Sequence, residues 1–105
     1  MLLVDDHVDV RKAARSILDS YPDIDVVGEA VDGFGAILYA ERLHPDVIVM
    51  NISMPRLGGI KATQMIKADR PHIIVIGLSV ETRHQSIDDM PLAGASTVLK
   101  KESAS

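Results

Sequence analysis

Polar side chains of the kind that handle phosphate follow four apolar stretches of the sequence. These groups are Asp5, Asp6 and His7 after "LLV", Asn51 and Ser53 after "VIVM", Ser79 after "IIVIGL", and Lys100 and Lys101 after "TVL". If the stretches are strands of one parallel sheet, their carboxyl ends meet in one crevice. That crevice gathers two carboxylates, an amide, a hydroxyl and a lysine. The amide of Asn51 is the unexpected member of this set.

None of these groups identifies a site when it is taken singly. An Asp-Asp pair after a strand is usually a solvated turn or a helix cap, and a serine there is usually a local turn. The histidines have no metal-ligand spacing and are interpreted as surface, cap or loop residues; they are His7, His44, His72 and His84. Convergence at one end of one sheet is what favours a functional site.

Three proline junctions indicate the repeated units that position these groups. Each junction joins a proline to a polar residue and a β-rich apolar run: "YPDIDVV" from Tyr21, "HPDVIVM" from His44 and "RPHIIVI" from Arg70. Proline ends a preceding helix and favours an extended residue before it. The junctions lie 23 and 26 residues apart, which leaves room for one helix, one strand and two short loops. This rhythm predicts repeated βα units and a parallel sheet.

The apolar patterns predict the individual strands and helices. The predicted strands are 2–5, 25–29, 47–51, 73–78 and 97–99, and the predicted helices are 8–20, 33–43, 58–69 and one within 83–93, which Pro91 makes short or bent. The residues predicted to face inward are Val10, Ala13, Ala14, Ile17, Leu18 and Tyr21 in the first helix, Phe34, Ile37, Leu38 and Leu43 in the second, and Ile60, Thr63 and Ile66 in the third. The runs "VIVM" and "IIVIGL" predict strands that are covered on both faces.

Length and composition limit the classes of protein. The 105 residues suffice for one domain, residues 1–105, with 47% apolar residues and a net charge of −4. The absence of cysteine excludes disulfides and thiolate metal sites. The net negative charge argues against direct nucleic-acid binding. The sequence has neither an 18-residue apolar run nor a signal peptide, so we expect no membrane segment and a cytoplasmic location.

The motifs "LLVDDH", "VIVMNISMPRLGGI", "VIGLS" and "GASTVLKKES" together resemble the receiver domain of bacterial response regulators. The likeness is strongest to receivers that precede a LuxR-like helix-turn-helix output domain, and it covers Leu2 to about Glu102. It implies an α/β fold with a doubly wound, parallel five-stranded sheet of the flavodoxin or CheY type. The chain then lacks the final helix and the output domain, so it is interpreted as truncated or as covered on one face by a partner.

The resemblance also implies roles for individual residues. Asp5 and Asp6 match the acidic pair that holds Mg²⁺, with the backbone carbonyl of Ser53 and the side chain at position 51 as further ligands. Asn51 matches the phospho-acceptor position. Ser79 and Lys101 match the residues that bind the phosphoryl group, and Lys101 fits the spacing better than Lys100. Val98 matches the switch aromatic, and Pro55 and Gly59 match the loop after the third strand.

Two departures from the family pattern bear on function. An amide is a poor nucleophile, so Asn51 is not expected to form an acyl phosphate, and Mg²⁺ is expected to bind less tightly. Val98 has no ring that can rotate. Three interpretations stay open: a natural pseudo-receiver that works without phosphorylation, a degenerate or truncated copy, or an asparagine introduced to lock an inactive state.

The expected function is therefore signal transduction by binding rather than enzymatic catalysis. The expected partners are a sensor histidine kinase or another signalling protein, an output domain, or a second copy in a homodimer. The alternatives are a metal-dependent phosphatase-like protein, which also uses acids after its first strand, and a purely structural α/β domain. A P-loop nucleotidase is excluded because the Gly-Lys-Ser/Thr loop is absent.

Overall fold

The computed structural model describes residues 1–79 and 97–100, with Ser79 and residues 97–100 described as backbone. The elements are β1 (Leu2–Val4), α1 (Val8–Leu18), β2 (Gly28–Ala30), α2 (Gly33–Leu43), β3 (Val47–Asn51), α3 (Gly59–Asp69), β4 (Ile74–Ser79) and β5 (Thr97–Lys100). The helix predicted within 83–93, with Pro91, lies outside the described residues.

The strands form one parallel sheet in the order β2-β1-β3-β4-β5. The register pairs Val4 with Met50 across β1 and β3, and Asn51 with Leu78 across β3 and β4. The chain order reverses between β1 and β3, which opens a crevice at the carboxyl ends of these strands. The predicted doubly wound, flavodoxin-like sheet is confirmed.

Local signals explain why α2 and β3 have their predicted bounds. The Asp32 carboxylate accepts a hydrogen bond of 2.8 Å from the Gly35 N–H and so caps the start of α2. His44 ends the helix in the left-handed conformation, with φ of 49°, and Pro45 prevents its continuation. This confirms that His44 is a cap residue.

The prediction for β2 was wrong by several residues at its start. A strand was expected over 25–29, but β2 is Gly28–Ala30. The residues after Pro22 first form a turn, in which the Ile24 N–H donates to the Tyr21 carbonyl at 3.1 Å. The strand begins only where the chain pairs with Leu2 of β1. Proline therefore marks the end of the helix correctly but not the start of the strand.

The apolar core lies between the sheet and the helices α2 and α3. Its strand residues are Leu2, Val4, Ala30, Ile48, Met50 and Val75, and its helix residues are Ala36, Ala40, Ala62 and Ile66. Thr63 and Ile66 are buried and Ile60 packs against the core, so the predicted inward face of α3 is confirmed. On α2 the prediction was wrong for Phe34, Leu38 and Leu43, which are exposed. Small residues bring α2 close to the sheet instead.

The opposite face of the sheet, on which α1 lies, is covered less completely. No residue of α1 is buried, and the predicted inward residues Ile17 and Tyr21 are 62% and 55% exposed. On β3 and β4 the residues of this face are half-buried or exposed, so the predicted cover of both faces is incomplete on this side; they are Val47, Val49, Ile74, Ile76 and Leu78. Among the described residues, no helix is long and apolar enough to cross a membrane.

Ion pairs attach α1 to the edge of the sheet. The Arg11 Nε donates to Glu29 Oε1 at 3.0 Å, and the Arg15 Nη1 donates to Glu29 Oε2 at 2.9 Å. The Arg11 Nη1 also donates to the backbone carbonyl of Asp5 at 2.7 Å. Polar contacts thus connect α1 both to β2 and to the loop that carries the acidic pair.

Candidate functional site

The acidic pair follows β1 directly and lies at the crevice between β1 and β3. Asp5 is buried, with 3% of its surface exposed, whereas the Asp6 side chain is 25% exposed. The Asp5 Oδ1 accepts the His7 backbone N–H at 2.9 Å, which closes a tight turn before α1. The pair therefore forms a local turn, which is the usual role of such a pair after a strand, and it also lines the crevice.

The His7 side chain lies beside both acids, although its sequence position was not interpreted as that of a metal ligand. Its Nδ1 is 3.1 Å from Asp5 Oδ1 and 3.3 Å from Asp6 Oδ1. One ligand atom from each of the three residues lies within 4.8 Å of the others, so together they form a possible metal-binding group. The His7 side chain is 65% exposed, which also agrees with the predicted surface or loop histidine.

Asn51 ends β3 and connects the two loops of the crevice. The residue is buried, with 3% of its surface exposed. The Nδ2 group donates one hydrogen bond of 3.0 Å to Asp6 Oδ1 and another of 2.9 Å to the Ser53 backbone carbonyl. The sequence predicted that Asp6, Asn51 and Ser53 meet, and the structure brings them together.

The loop after β3 closes tightly onto the strand. The Gly59 N–H donates to the Ile52 carbonyl at 2.9 Å, and a Cβ atom at Gly59 would collide with the Asn51 carbonyl oxygen. Only glycine permits this approach, so Gly59 sets the path of the loop behind Asn51. Pro55 is exposed in the same loop, which agrees with its predicted loop position.

A second anchor of this loop was not predicted from the sequence. The Arg56 Nη2 forms an ion pair of 2.5 Å with Asp32 Oδ2, and the Gly33 N–H donates to the Leu57 carbonyl at 2.8 Å. Arg56 has a positive φ of 65°, which aims its side chain at the start of α2. Asp32 stands directly before "GFG" and could have been recognised from the sequence as a helix cap. Its ion pair with Arg56, 24 residues away, could not, because that pair depends on the conformation of the loop.

The remaining predicted residues lie on β4 and β5 or outside the described residues. Ser79 ends β4, and its backbone pairs in register with Lys100 of β5. Val98 lies in β5 and pairs with Gly77. Lys101 lies outside the described residues. The structure therefore places the backbones of Ser79 and Val98 on neighbouring strands, and the described contacts of the site come from β1 and β3.

The oxygen atoms of the crevice fit a hard divalent cation. Asp6 Oδ1 and the Ser53 carbonyl oxygen lie at 3.0 and 2.9 Å from one nitrogen atom, so both oxygens converge on the same point. Mg²⁺ takes oxygen ligands at about 2.0–2.1 Å and keeps several waters. The residues that could hold it are Asp5, Asp6, Ser53 through its carbonyl, and Asn51 through its amide oxygen.

Comparisons with known proteins agree on one family. Residues 1–105 match the profile of the response regulator receiver domain. The chain is 38% identical over 104 residues to the response regulator UvrY of Escherichia coli, which covers 99% of this chain and 48% of that protein. It is 36% identical over 104 residues to protein-glutamate methylesterase/protein-glutamine glutaminase 1 of Methanosarcina mazei, which covers 97% of this chain and 29% of that protein.

Solved structures show the same fold. A two-component response regulator of the LuxR family from Aurantimonas superimposes with a TM-score of 0.91 at 31% identity, over 97% of this chain and 73% of that one. The chain spans less than half the length of the two curated relatives named above.

Proposed function

The chain belongs to the family of response regulator receiver domains, which transduce signals in two-component systems, and from that premise we propose that it is a pseudo-receiver. In this proposal Asn51 occupies the phospho-acceptor position and takes no phosphoryl group. The domain acts by binding other proteins, with the crevice held in one arrangement. It has no catalytic activity of its own.

The observation that carries this proposal is the state of the Asn51 side chain. Phosphoryl transfer to a receiver needs a carboxylate oxygen that attacks phosphorus. The group at position 51 is a buried amide, and both of its hydrogen bonds are made by its nitrogen as a donor. The lone pair of an amide nitrogen is delocalised into its carbonyl group, so this nitrogen is a poor nucleophile. The position therefore serves to connect two loops rather than to react.

The surrounding residues keep the parts of a phosphate site. Mg²⁺, when bound, would neutralise negative charge and fix phosphoryl oxygens. Asp5, Asp6 and the Ser53 carbonyl are the residues proposed to hold it. We assign the hydroxyl of Ser79 and the ammonium of Lys101 to phosphate binding from their motif positions. With Val98 in place of an aromatic residue, the usual ring rotation is absent.

The proposed partners follow from the family and from the charge of the chain. A sensor histidine kinase, another signalling protein and a second copy are the expected partners of a receiver. The net charge of −4 makes direct binding to nucleic acid unfavourable, so any effect on transcription passes through an output domain. The proposed location is the cytoplasm, where receivers meet their kinases.

The test is the intact mass of the protein after incubation with acetyl phosphate and Mg²⁺. We compare this chain with Asn51→Asp, and with Asn51→Asp combined with Asp6→Asn as the control for metal dependence. The expected result is that only Asn51→Asp gains one phosphoryl group, and that the added Asp6→Asn abolishes the gain. A phosphoryl group on the unmodified chain would falsify the pseudo-receiver proposal.

A further inference from the structure

The Asn51 amide occupies a position between two oxygen atoms that belong to different loops. Asp6 Oδ1 comes from the loop after β1, and the Ser53 carbonyl comes from the loop after β3. An ionised carboxylate and a carbonyl can only accept hydrogen bonds, so the atom between them must be the NH₂ group of the amide. The orientation of the amide is therefore fixed by its partners.

The same two oxygens are the ligands that the proposed function assigns to a divalent cation. A cation that bridges these two oxygens must lie between them, where the NH₂ group of Asn51 lies, so the amide and the cation cannot occupy this position together. We infer that the Asn51 amide is a built-in substitute for the metal, which joins the two loops without an ion and competes with Mg²⁺ for the site. This inference rests on the metal site of the proposed function.

Burial makes the substitute effective. Asn51 is 3% exposed, so water competes poorly for its two N–H groups. One of the two bonds is to an ionised carboxylate and is stronger than a neutral bond. The other acid is also engaged, because Asp5 Oδ1 accepts the His7 backbone N–H at 2.9 Å. A cation that enters must break the amide bonds before it reaches the oxygens.

The far end of the loop is held independently of Asn51. Arg56 pairs with Asp32, and the Gly33 N–H donates to the Leu57 carbonyl. With the amide at one end and these contacts at the other, the segment between Asn51 and Gly59 is fixed at both ends in the absence of a metal. The surface that this loop presents to a partner is then already set without Mg²⁺.

Two explanations of weak Mg²⁺ binding, competition by the Asn51 amide and the loss of one negative charge, predict different affinities for Asn51→Ala. Asn51→Ala keeps the charge of the site but removes the competing N–H groups together with the amide oxygen. If charge alone weakens Mg²⁺ binding, Asn51→Ala binds Mg²⁺ no better than this chain. If the amide competes, Asn51→Ala binds it about tenfold more tightly, because one charge-assisted hydrogen bond no longer has to be broken.

The experiment is isothermal titration calorimetry with MgCl₂ on this chain, Asn51→Ala and Asn51→Asp, with circular dichroism to check folding. Gln64→Ala is the matched control, since it removes an exposed amide on α3. The expected order of affinity is Asn51→Asp, then Asn51→Ala, then this chain and Gln64→Ala together. Equal or weaker binding by Asn51→Ala than by this chain overturns the inference, while the proposed metal site stands if Asn51→Asp still binds.

A failure of the metal site itself gives a different result. If Asn51→Asp binds no Mg²⁺ and gains no phosphoryl group, the site assigned in the proposed function is wrong, and the inference falls with it. Phosphorylation of Asn51→Asp in the mass experiment, together with weak binding by Asn51→Ala, overturns the inference alone.

A second measurement keeps the inference testable if Asn51→Ala does not fold. Asn51 is the only asparagine in the chain, and Gln64 and Gln85 carry the only other side-chain amides. Nuclear magnetic resonance can therefore follow hydrogen exchange of the Asn51 amide on the unmodified protein. We expect its exchange to be at least about tenfold slower than that of the exposed Gln64, since both N–H groups are bonded and buried. Equal exchange rates overturn the inference.

Discussion

The apolar layer beneath α2 and α3 and the polar crevice at the end of the same strands use adjacent residues of β3 for different purposes. Ile48 and Met50 are fully buried among apolar side chains, and Asn51, the next residue, is buried among polar groups. Burial in the first region stabilises the fold through apolar area, and burial in the second protects hydrogen bonds from water. We therefore expect that stability and function can be altered separately by substitutions along this one strand.

The largest expected effect on stability comes from the apolar layer. Ile48→Ala removes a fully buried side chain and should lower the free energy of unfolding by about 2–5 kcal/mol. Val49→Ala, on the less covered face beside α1, should lower it by about 1 kcal/mol, because that side chain is only half-buried. Urea titration measures both. Equal losses would contradict the account of the two faces.

Gly59→Ala should act on both regions at once and have the second largest effect. The added methyl group collides with the Asn51 carbonyl oxygen, so the start of α3 or the end of β3 must shift, at a cost of about 1–3 kcal/mol. Gly58→Ala is the matched control. Its nearest non-bonded atom is 3.4 Å away, and the expected loss stays below about 1 kcal/mol. Thermal unfolding of the two variants tests this, and a larger loss for Gly58→Ala would refute the close approach.

The sequence predicted the parts of the fold whose signals are local. Pro45 and the cap at Asp32 fix β3 and α2 to the residue, because each signal acts within one turn of the chain. The start of β2 was missed because its pairing with Leu2 decides it, and pairing is a long-range contact. The inward faces of α1 and α2 were missed in part because an apolar stripe does not show how closely a helix approaches the sheet. Alanines at Ala36 and Ala40 decide that distance on α2.

In the candidate site, too, some features could be predicted from the sequence and others depend on long-range contacts. The order of strands brings Asp6, Asn51 and Ser53 together, and the motif spacing was sufficient to predict that meeting. The direction of the Asn51 amide was not predictable, because it depends on two acceptors from separate loops. The Asp32–Arg56 pair was missed for a similar reason, since it requires the left-handed conformation of Arg56.

The central claim is that the crevice of this domain already has its final arrangement without metal or phosphate. The most direct test is to record ¹H–¹⁵N correlation spectra of this chain and of Asn51→Asp, each before and after addition of Mg²⁺ and acetyl phosphate. We expect the spectrum of Asn51→Asp to change along the segment from Asn51 to Gly59 and along β4, and the spectrum of this chain to stay unchanged in the same residues. Changes of the same residues and similar size in this chain would contradict the claim.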